Sequence, residues 1–380
     1  MTTTINNEHK KLNVPNLRFP EFQEEWEEKR LSEIADLYKG NGISKEQLSD
    51  SGESCILYGE LYTKYKSEVI SEVVSKTNID TKKLVRSKAN DVIIPCSGET
   101  AEDIATARCV LYDDILLGGD LNIIRLHDTD GSFMSYQLNG KRKYDIAKVA
   151  QGVSVVHLYG EHLKNVKTYT PSVEEQKKIA KLLSLLDERI ATQSKVIDKL
   201  QSLIKGIAHK VSKQGKPNIR LSECLQCSSS TLQESDVAEV GSYPVYGANG
   251  IVGYLDAYNT TDEAIYIIKD GSGVGTVSYV TGKCSATGTL NILQAKDGFS
   301  LRYLYFMLKV FSFEPYKTGM AIPHIYFKDY GKAKIFCPSY ELQIKYANVL
   351  SKIEQKTIAE QQILDSLCSQ KQYLLRQMFI

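Results

Sequence analysis

Two stretches of the chain carry a hydrophobic seam that steps alternately by four and three residues. The first runs through Ile179, Leu183, Leu186, Ile190, Gln193, Ile197, Leu200, Ile204, Ile207 and Val211, and Gln193 is its one polar member. The second holds Tyr346, Leu350, Ile353, Thr357, Glu360, Leu364, Leu367, Lys371, Leu374 and Met378, of which Thr357, Glu360 and Lys371 are polar. This 4–3 stepping is the heptad pattern of a helix that buries one stripe against another helix. Pro171 and Ser172 stand where such a helix would start, and Glu174 and Glu175 suit its positive first turn. The spacing predicts a helix over 171–213 and another over 338–380, paired antiparallel with each other. The regions before each helix are different in kind. DVIIPCSG and AIYIIKDGSGVGTVSYVTG join β-branched runs to glycine turns, which predicts strand–loop–strand units. The polar KVSKQGKPN, residues 210–218, marks a boundary between two halves.

The two halves repeat one another. At an offset of about 167 positions, Pro171, Ser172, Glu174, Gln176, Ala180, Leu183, Ser184, Asp198 and Leu200 fall on Pro338, Ser339, Glu341, Gln343, Ala347, Leu350, Ser351, Asp365 and Leu367. Upstream, GVSVVHLY meets GMAIPHIY, which pairs Gly152 with Gly319, His157 with His324 and Tyr159 with Tyr326. Leu121–Asn122 resembles Leu290–Asn291, RLSEIA at Arg30 resembles RLSECL at Arg220, and LYGE near Tyr58 resembles VYGA near Tyr246. An ordered set of matches like this indicates a tandem duplication. The expected class is α+β: two similar mixed α/β globular domains separated by two long antiparallel coiled-coil helices, with pseudo-two-fold symmetry. The expected boundaries are 1–170 for an N-terminal arm and first domain, 171–213 for the central helix, 214–337 for the second domain and 338–380 for the last helix.

Helices near 40 residues would span roughly 60 Å at about 1.5 Å per residue. Such a device holds two similar domains a fixed distance apart, and a duplex with two half-sites has matching two-fold axes. The formal net charge of +1 tempers this picture. A protein that binds DNA alone usually has a larger basic excess, because neutralised phosphates supply much of the affinity. Near-neutrality instead suits a subunit whose partners hold part of the duplex. The start, MTTTINNEHKK, has no apolar stretch, and no run approaches the roughly 18–20 apolar residues that cross a bilayer. The eight cysteines are scattered, so they are expected to be reduced in a cytoplasmic protein.

Catalytic chemistry is hard to place. Nine prolines occur and none are adjacent, which excludes the N-P-P-[YF] of an adenine methyltransferase. DGSGVG, from Asp270 to Gly275, lacks G-x-G-x-x-G spacing and reads as a turn between strands. No phosphate-binding G-x-x-x-x-G-K-[ST] is present. The E-x-K triplets at Glu175 and Glu354 lie inside the predicted helices and read as helix faces. Cys224 and Cys227 form one C-x-x-C with no second pair, which favours buried thiols over a metal site. His157 and His324 hold equivalent places, and packing and phosphate contact both remain open for them. The expected site is therefore free of catalytic and metal-binding residues.

The opening VPNLRFPEFQEEWEEKRLSEIA, the helix entries TPSVEEQKKIAKLLSLLDERI and CPSYELQIKYANVLSKI, YPVYGANGIVGY, IIKDGSGVG and the LNI elements together resemble Type I restriction-modification specificity subunits over residues 14–380. That resemblance implies two target-recognition domains joined by helices that dock two methyltransferase subunits, with motor-nuclease subunits joining through the complex. It also implies a non-catalytic chain that binds double-stranded DNA. S-adenosylmethionine, ATP and Mg would belong to the partner subunits, with no cofactor in this chain. The alternative is a duplicated adhesin-type interaction protein with coiled-coil spacers.

The resemblance further implies DNA contacts on loops of each recognition domain. In the first, the candidates are Tyr62, Thr63, Lys64, Ser97, Gly98, Glu99, Thr100 and His157. Lys141, Arg142 and Lys143 form the clearest basic cluster, either a phosphate clamp or a solvated face. In the second domain they are Asn249, Gly250, Lys269, Gly271, Ser272, Gly273, Lys317, Thr318, Gly319, Met320 and His324.

Overall fold

The computed structural model describes residues 12–152 and 155–380. The first eleven residues of the N-terminal arm, and Val153 and Ser154 of the repeated GVSVVHLY, lie outside the described residues. The chain forms two compact units, Met1–Gln193 with Ile363–Ile380, and Ser194–Gln362. Each long helix therefore gives one part of its length to each unit. No helix among the described residues is long and apolar enough to cross a membrane.

In the first unit the apolar run DVIIP forms a central strand, Asp91–Pro95, with all five residues buried. A strand buried on both faces needs a continuous apolar run, which explains why it does not alternate. It sits third in a five-stranded sheet ordered Ala35–Lys39, Leu121–Leu126, Asp91–Pro95, Arg108–Val110 and Val69–Ile70. A second five-stranded sheet includes Glu53–Ile56, which pairs in parallel with Leu116–Leu117.

The second unit repeats the plan with fewer strands. Its main sheet is ordered Leu225–Ser229, Leu290–Ala295, Glu263–Ile268 and Val277–Thr281. The smaller sheet again contains a parallel pair, Tyr243–Gly247 with Ser285–Ala286. The Tyr58 and Tyr246 matches in sequence thus fall at equivalent strand ends, Glu53–Ile56 and Tyr243–Gly247.

The two long helices span Val173–Ser212 and Tyr340–Gln377. The apolar residues of both predicted seams are buried or half-buried: Ile179, Leu183, Leu186, Ile190, Ile197, Leu200, Ile204, Ile207 and Val211 in the first, and Tyr346, Leu350, Ile353, Leu364, Leu367, Leu374 and Met378 in the second. Within the first unit, Ile179, Ala180 and Leu183 share a core with Trp26, Phe133, Tyr136, Met378 and Phe379. Asp187, further along, meets Lys371 at 2.6 Å, so the helices run antiparallel there. Within the second unit, Ile204, Ala208 and Val211 share a core with Ala347 and Leu350, and Tyr346 donates to Gln214 at 2.6 Å.

One buried glutamine fastens each helix start to its domain. Gln176 donates to the Pro171 carbonyl at 2.8 Å and accepts from the Asp130 N–H at 2.9 Å. Gln343 does the same with the Pro338 carbonyl and the Ser300 N–H, both at 2.9 Å. Asp130 and Ser300 cap the domain helices Gly131–Asn139 and Leu301–Lys309, so each amide ties one helix N-terminus to another. Gln343→Ala leaves a buried N–H and a carbonyl without partners and should cost about 1–3 kcal/mol. Urea unfolding of the variant checks this, and an unchanged midpoint would show that water replaces the amide.

A candidate nucleic-acid interface

In each unit two distant loops are brought side by side at one end of the main sheet. In the first unit the strand Asp91–Pro95 runs out through Cys96 into Ser97–Gly98, which pair antiparallel with Val156–His157. The register places His157 opposite Ser97, and the Leu158 N–H donates to the Cys96 carbonyl at 2.8 Å. In the second unit the strand Glu263–Ile268 leads into Lys269 and Asp270, and Asp270 bridges His324. Here the Ile325 N–H donates to the Lys269 carbonyl at 2.9 Å, and the Gly271 N–H donates to the Pro323 carbonyl at 3.0 Å. The sequence-matched histidines are thus equivalent in space as well.

Their surroundings decide what they can do. His157 is exposed on its short strand, with its ring 6.2 Å from that of Tyr159. His324 stacks on Tyr326 at 6.4 Å and interplanar 20°, and its Nδ1 lies 2.6 Å from an Asp270 carboxylate oxygen. A carboxylate on Nδ1 fixes the orientation of the half-buried ring and leaves Nε2 as the nitrogen not engaged by Asp270. Buried Asn122 donates to the Leu158 carbonyl at 2.9 Å and so pins the His157 segment to the sheet. Asn291, its repeat partner, instead donates to the Tyr330 hydroxyl at 3.0 Å.

The other first-domain candidates gather near the same loop to different degrees. The Tyr62 hydroxyl donates to the Ser97 carbonyl at 3.0 Å, and burial pushes its phenol well above the usual tyrosine range. It stays protonated and serves as a donor. Thr100 caps the short helix Ala101–Ile104, accepting from the Asp103 N–H at 3.0 Å, and Glu99 beside it is exposed. Ser97 and Gly98 are half-buried. Thr63 donates to the Gly59 carbonyl, and Lys64 is held by Glu60 at 2.6 Å and Ser75 at 2.7 Å. Lys64 is therefore an internal partner as much as a free cation.

The basic cluster has a different character from the one its composition suggests. Arg142 donates to the carbonyl of Ile380 at 2.9 Å, pairs with Asp145 at 3.1 Å and lies over the Tyr169 ring at 5.3 Å. It fastens the end of the last helix within the first unit. Lys141 is exposed and Lys143 half-buried at the start of the helix Lys143–Val149, and these two retain their charge for solvent or a ligand.

In the second unit residues 287–289 collect the candidate loops. Thr287 donates its N–H to the Tyr246 carbonyl at 2.8 Å, Gly288 to Leu232 at 2.7 Å, and Thr289 accepts from Lys269 at 3.0 Å. Tyr246 begins the turn that carries exposed Asn249 and Gly250. DGSGVG is the connection between the antiparallel strands Glu263–Ile268 and Val277–Thr281, with Gly271, Gly273 and Gly275 at φ of +90°, +95° and +90°. Only glycine takes such angles readily, so the repeated glycines are required by the turn, with Ser272 exposed at its tip. Lys317 pairs with Glu314 at 2.5 Å, Thr318 and His324 exchange backbone hydrogen bonds at 2.9 and 2.7 Å, and Gly319 and Met320 are exposed.

The thiols fall inside the fold. Cys224 is buried and donates to the Arg220 and Leu221 carbonyls at 3.5 Å. Burial pushes its thiol up to about 12 and that of Cys227 up to about 11, so both stay protonated at neutral pH. Among the described residues no group of three or more His, Cys, Asp or Glu is placed to hold a metal ion.

Comparison with known proteins gives this arrangement a family. The Type I restriction modification DNA specificity domain matches twice, over residues 23–202 and 218–368. A putative type I specificity subunit of Mycoplasma genitalium is 25% identical over 283 residues, 68% of this chain and 73% of the relative. The Type I restriction enzyme EcoprrI specificity subunit of Escherichia coli is 29% identical over 129 residues, 33% of this chain and 32% of the relative. This chain thus spans about a third of the latter and nearly three quarters of the former. Among solved structures, a Type-I restriction-modification system S subunit from M. genitalium superposes with a TM-score of 0.68 at 20% identity, covering 97% of this chain and 99% of that one. At that identity the likeness establishes the fold. With both repeats matched and most of the sequence covered, the chain belongs to the Type I restriction modification DNA specificity domain family.

Proposed function

We propose that the chain is the specificity subunit of a Type I restriction-modification complex, and that each unit reads one half of a bipartite DNA target. The carrying observation is the pair of loops that both units assemble at the end of the main sheet. The scaffold is common, with His157 opposite Ser97 and His324 bridged to Asp270, while the exposed side chains differ. Glu99 and Thr100 stand in one unit, and exposed Ser272 beside half-buried Lys269 in the other. Phosphate contacts set position and side chains on base edges set sequence, so a shared frame with divergent tips suits two different half-sites. Lys269, Lys317, Lys141 and Lys143 are the cations assigned to phosphates.

The chain itself performs no chemistry in this reading. Two methyltransferase subunits dock on the helices, carry S-adenosylmethionine and flip an adenine in each half-site. Motor-nuclease subunits with ATP and Mg join through the complex, which works in the cytoplasm. The central and last helices, residues 171–213 and 338–380, set the gap between the recognition domains at 1–170 and 214–337. The adhesin-type alternative gains no support from the family match.

Genome-wide mapping of methylated adenines, with and without this chain beside its methyltransferase, tests the proposal. A two-part motif with a constant gap should appear only when the chain is present. An unchanged map in cells whose methyltransferase is active would reject the reading.

A further inference from the structure

The most exposed large apolar side chain among the candidate loops is Met320, which touches nothing that shields it, and Ile322 two residues on is 58% exposed. These residues do not hang on a slack loop. Thr318 and His324 close the loop with reciprocal backbone hydrogen bonds, and Pro323 accepts from the Gly271 N–H. An Asp270 carboxylate oxygen lies 2.6 Å from His324 Nδ1 and holds the ring. Gly319, at φ +88°, makes the turn so tight that a Cβ there would collide with the Ile322 carbonyl.

The described residues of the first unit make the same closing contacts. Gly152, at φ +126°, lies so close to the Val155 carbonyl that a Cβ would collide with it. Gln151 and His157 exchange the closing hydrogen bonds at 2.9 and 2.7 Å, and Val155 is 53% exposed. Val155 and Ile322 occupy the same place in the repeat. The second unit thus raises Ile322 on a hydrogen-bonded loop beside its other DNA-facing candidates, and Val155 stands exposed at the matching place in the first.

We infer that this loop is a wedge: Met320 and Ile322 enter the base stack of the second unit's half-site and open one base step, and Val155 does so in the first. The inference rests on the DNA-reading function proposed above. An aliphatic side chain has no hydrogen bond to offer a base edge, and its one use in direct readout is contact with a thymine methyl. That use would depend on the sequence of each half-site. An exposed β-branched residue beside the same closing hydrogen bonds recurs in both units, at Val155 and Ile322, while the neighbouring Ser97–Gly98–Glu99 and Asp270–Gly271–Ser272 differ, which fits a task independent of target sequence. Met, Ile and Pro are the residue types that unstack base steps in proteins that kink DNA. Opening a step beside the target also lowers the cost of extruding a base for methylation, which must leave the stack before it reacts.

The test uses the chain in complex with its methyltransferase subunits and three synthetic duplexes: the motif returned by methylation mapping, the same motif with one mismatched step in the second half-site, and an unrelated sequence. Met320→Ser with Ile322→Ser, both at exposed positions, should bind the matched duplex about tenfold more weakly and regain affinity on the mismatched one, where unstacking is already in place. 2-Aminopurine at the opened step should brighten with the unaltered complex and stay quenched with the double variant. Val155→Ser should act likewise on the first half-site only. Equal binding and equal fluorescence for variant and parent would overturn the wedge. So would loss of parent affinity when half-site thymines are replaced by deoxyuridine, which would make the side chains readers of methyl groups. If the parent complex binds matched and unrelated duplexes alike, the DNA-reading proposal itself fails, a result separate from the other two.

Discussion

Lys371→Met should destabilise the first unit by about 3–5 kcal/mol, because it leaves two buried carboxylates facing each other without a cation. The Lys371 ammonium is bonded to both Glu68 and Asp187, all three side chains being nearly shielded from solvent. Asp187 also accepts from the Tyr136 hydroxyl at 2.8 Å and from Ser67 at 2.7 Å, so its charge is tied into the domain core. Burial alone would pull the lysine down, but Glu68 and Asp187 outweigh it and raise it above its ordinary value, which keeps it charged. Methionine keeps the length of the side chain and removes only the charge. Equilibrium urea unfolding reads the loss. Adding Glu68→Leu and Asp187→Leu should recover much of it, since a buried ionic cluster is often replaceable as a whole though not in part. A loss of less than about 1 kcal/mol in the single variant would place the cluster among weak surface pairs.

The same lysine shows where sequence reasoning reached and where it stopped. The heptad seam was legible because packing repeats locally, every three or four residues, and the apolar positions that it named are buried or half-buried. Lys371 fell on that seam as an apparent flaw. Its justification is Glu68, separated from it by 303 positions, and no local pattern encodes a partner that distant. Gln176 and Gln343 were visible as a repeated pair, yet their work of joining a proline carbonyl to a helix cap needed the fold. His157 and His324 were legible as equivalents, while the carboxylate on His324 was not. The basic triplet was legible only as charge. Clustered positive charge is a fair sign of phosphate binding, but Arg142 is held by the Ile380 carbonyl, Asp145 and Tyr169. Charge can be counted from sequence, but whether a charge is already engaged depends on tertiary contacts.

Removing one heptad from each long helix should abolish methylation at the original motif. Residues 190–196 of the helix Val173–Ser212 and residues 360–366 of the helix Tyr340–Gln377 straddle the points where each helix passes between units. Seven residues preserve the 4–3 seam, whereas four would rotate it out of register. The helices shorten by about 10 Å at about 1.5 Å per residue, equivalent to roughly three base pairs at about 3.4 Å each. Length is only half of the change. A heptad shifts an ideal helix by about 20°, while three base pairs of a duplex with about 10.5 per turn rotate it by roughly 100°. The second half-site is then at the right distance but turned away, so a motif with a gap shorter by three should be methylated weakly. Methylation mapping in cells carrying the shortened chain measures both effects at once. A weak motif with the shorter gap would establish the helices as the ruler, because no other change was made to either recognition loop. Persistence of the original gap at full occupancy would mean that the spacing is set elsewhere in the complex, and the helices would then serve only as a docking surface for its other subunits.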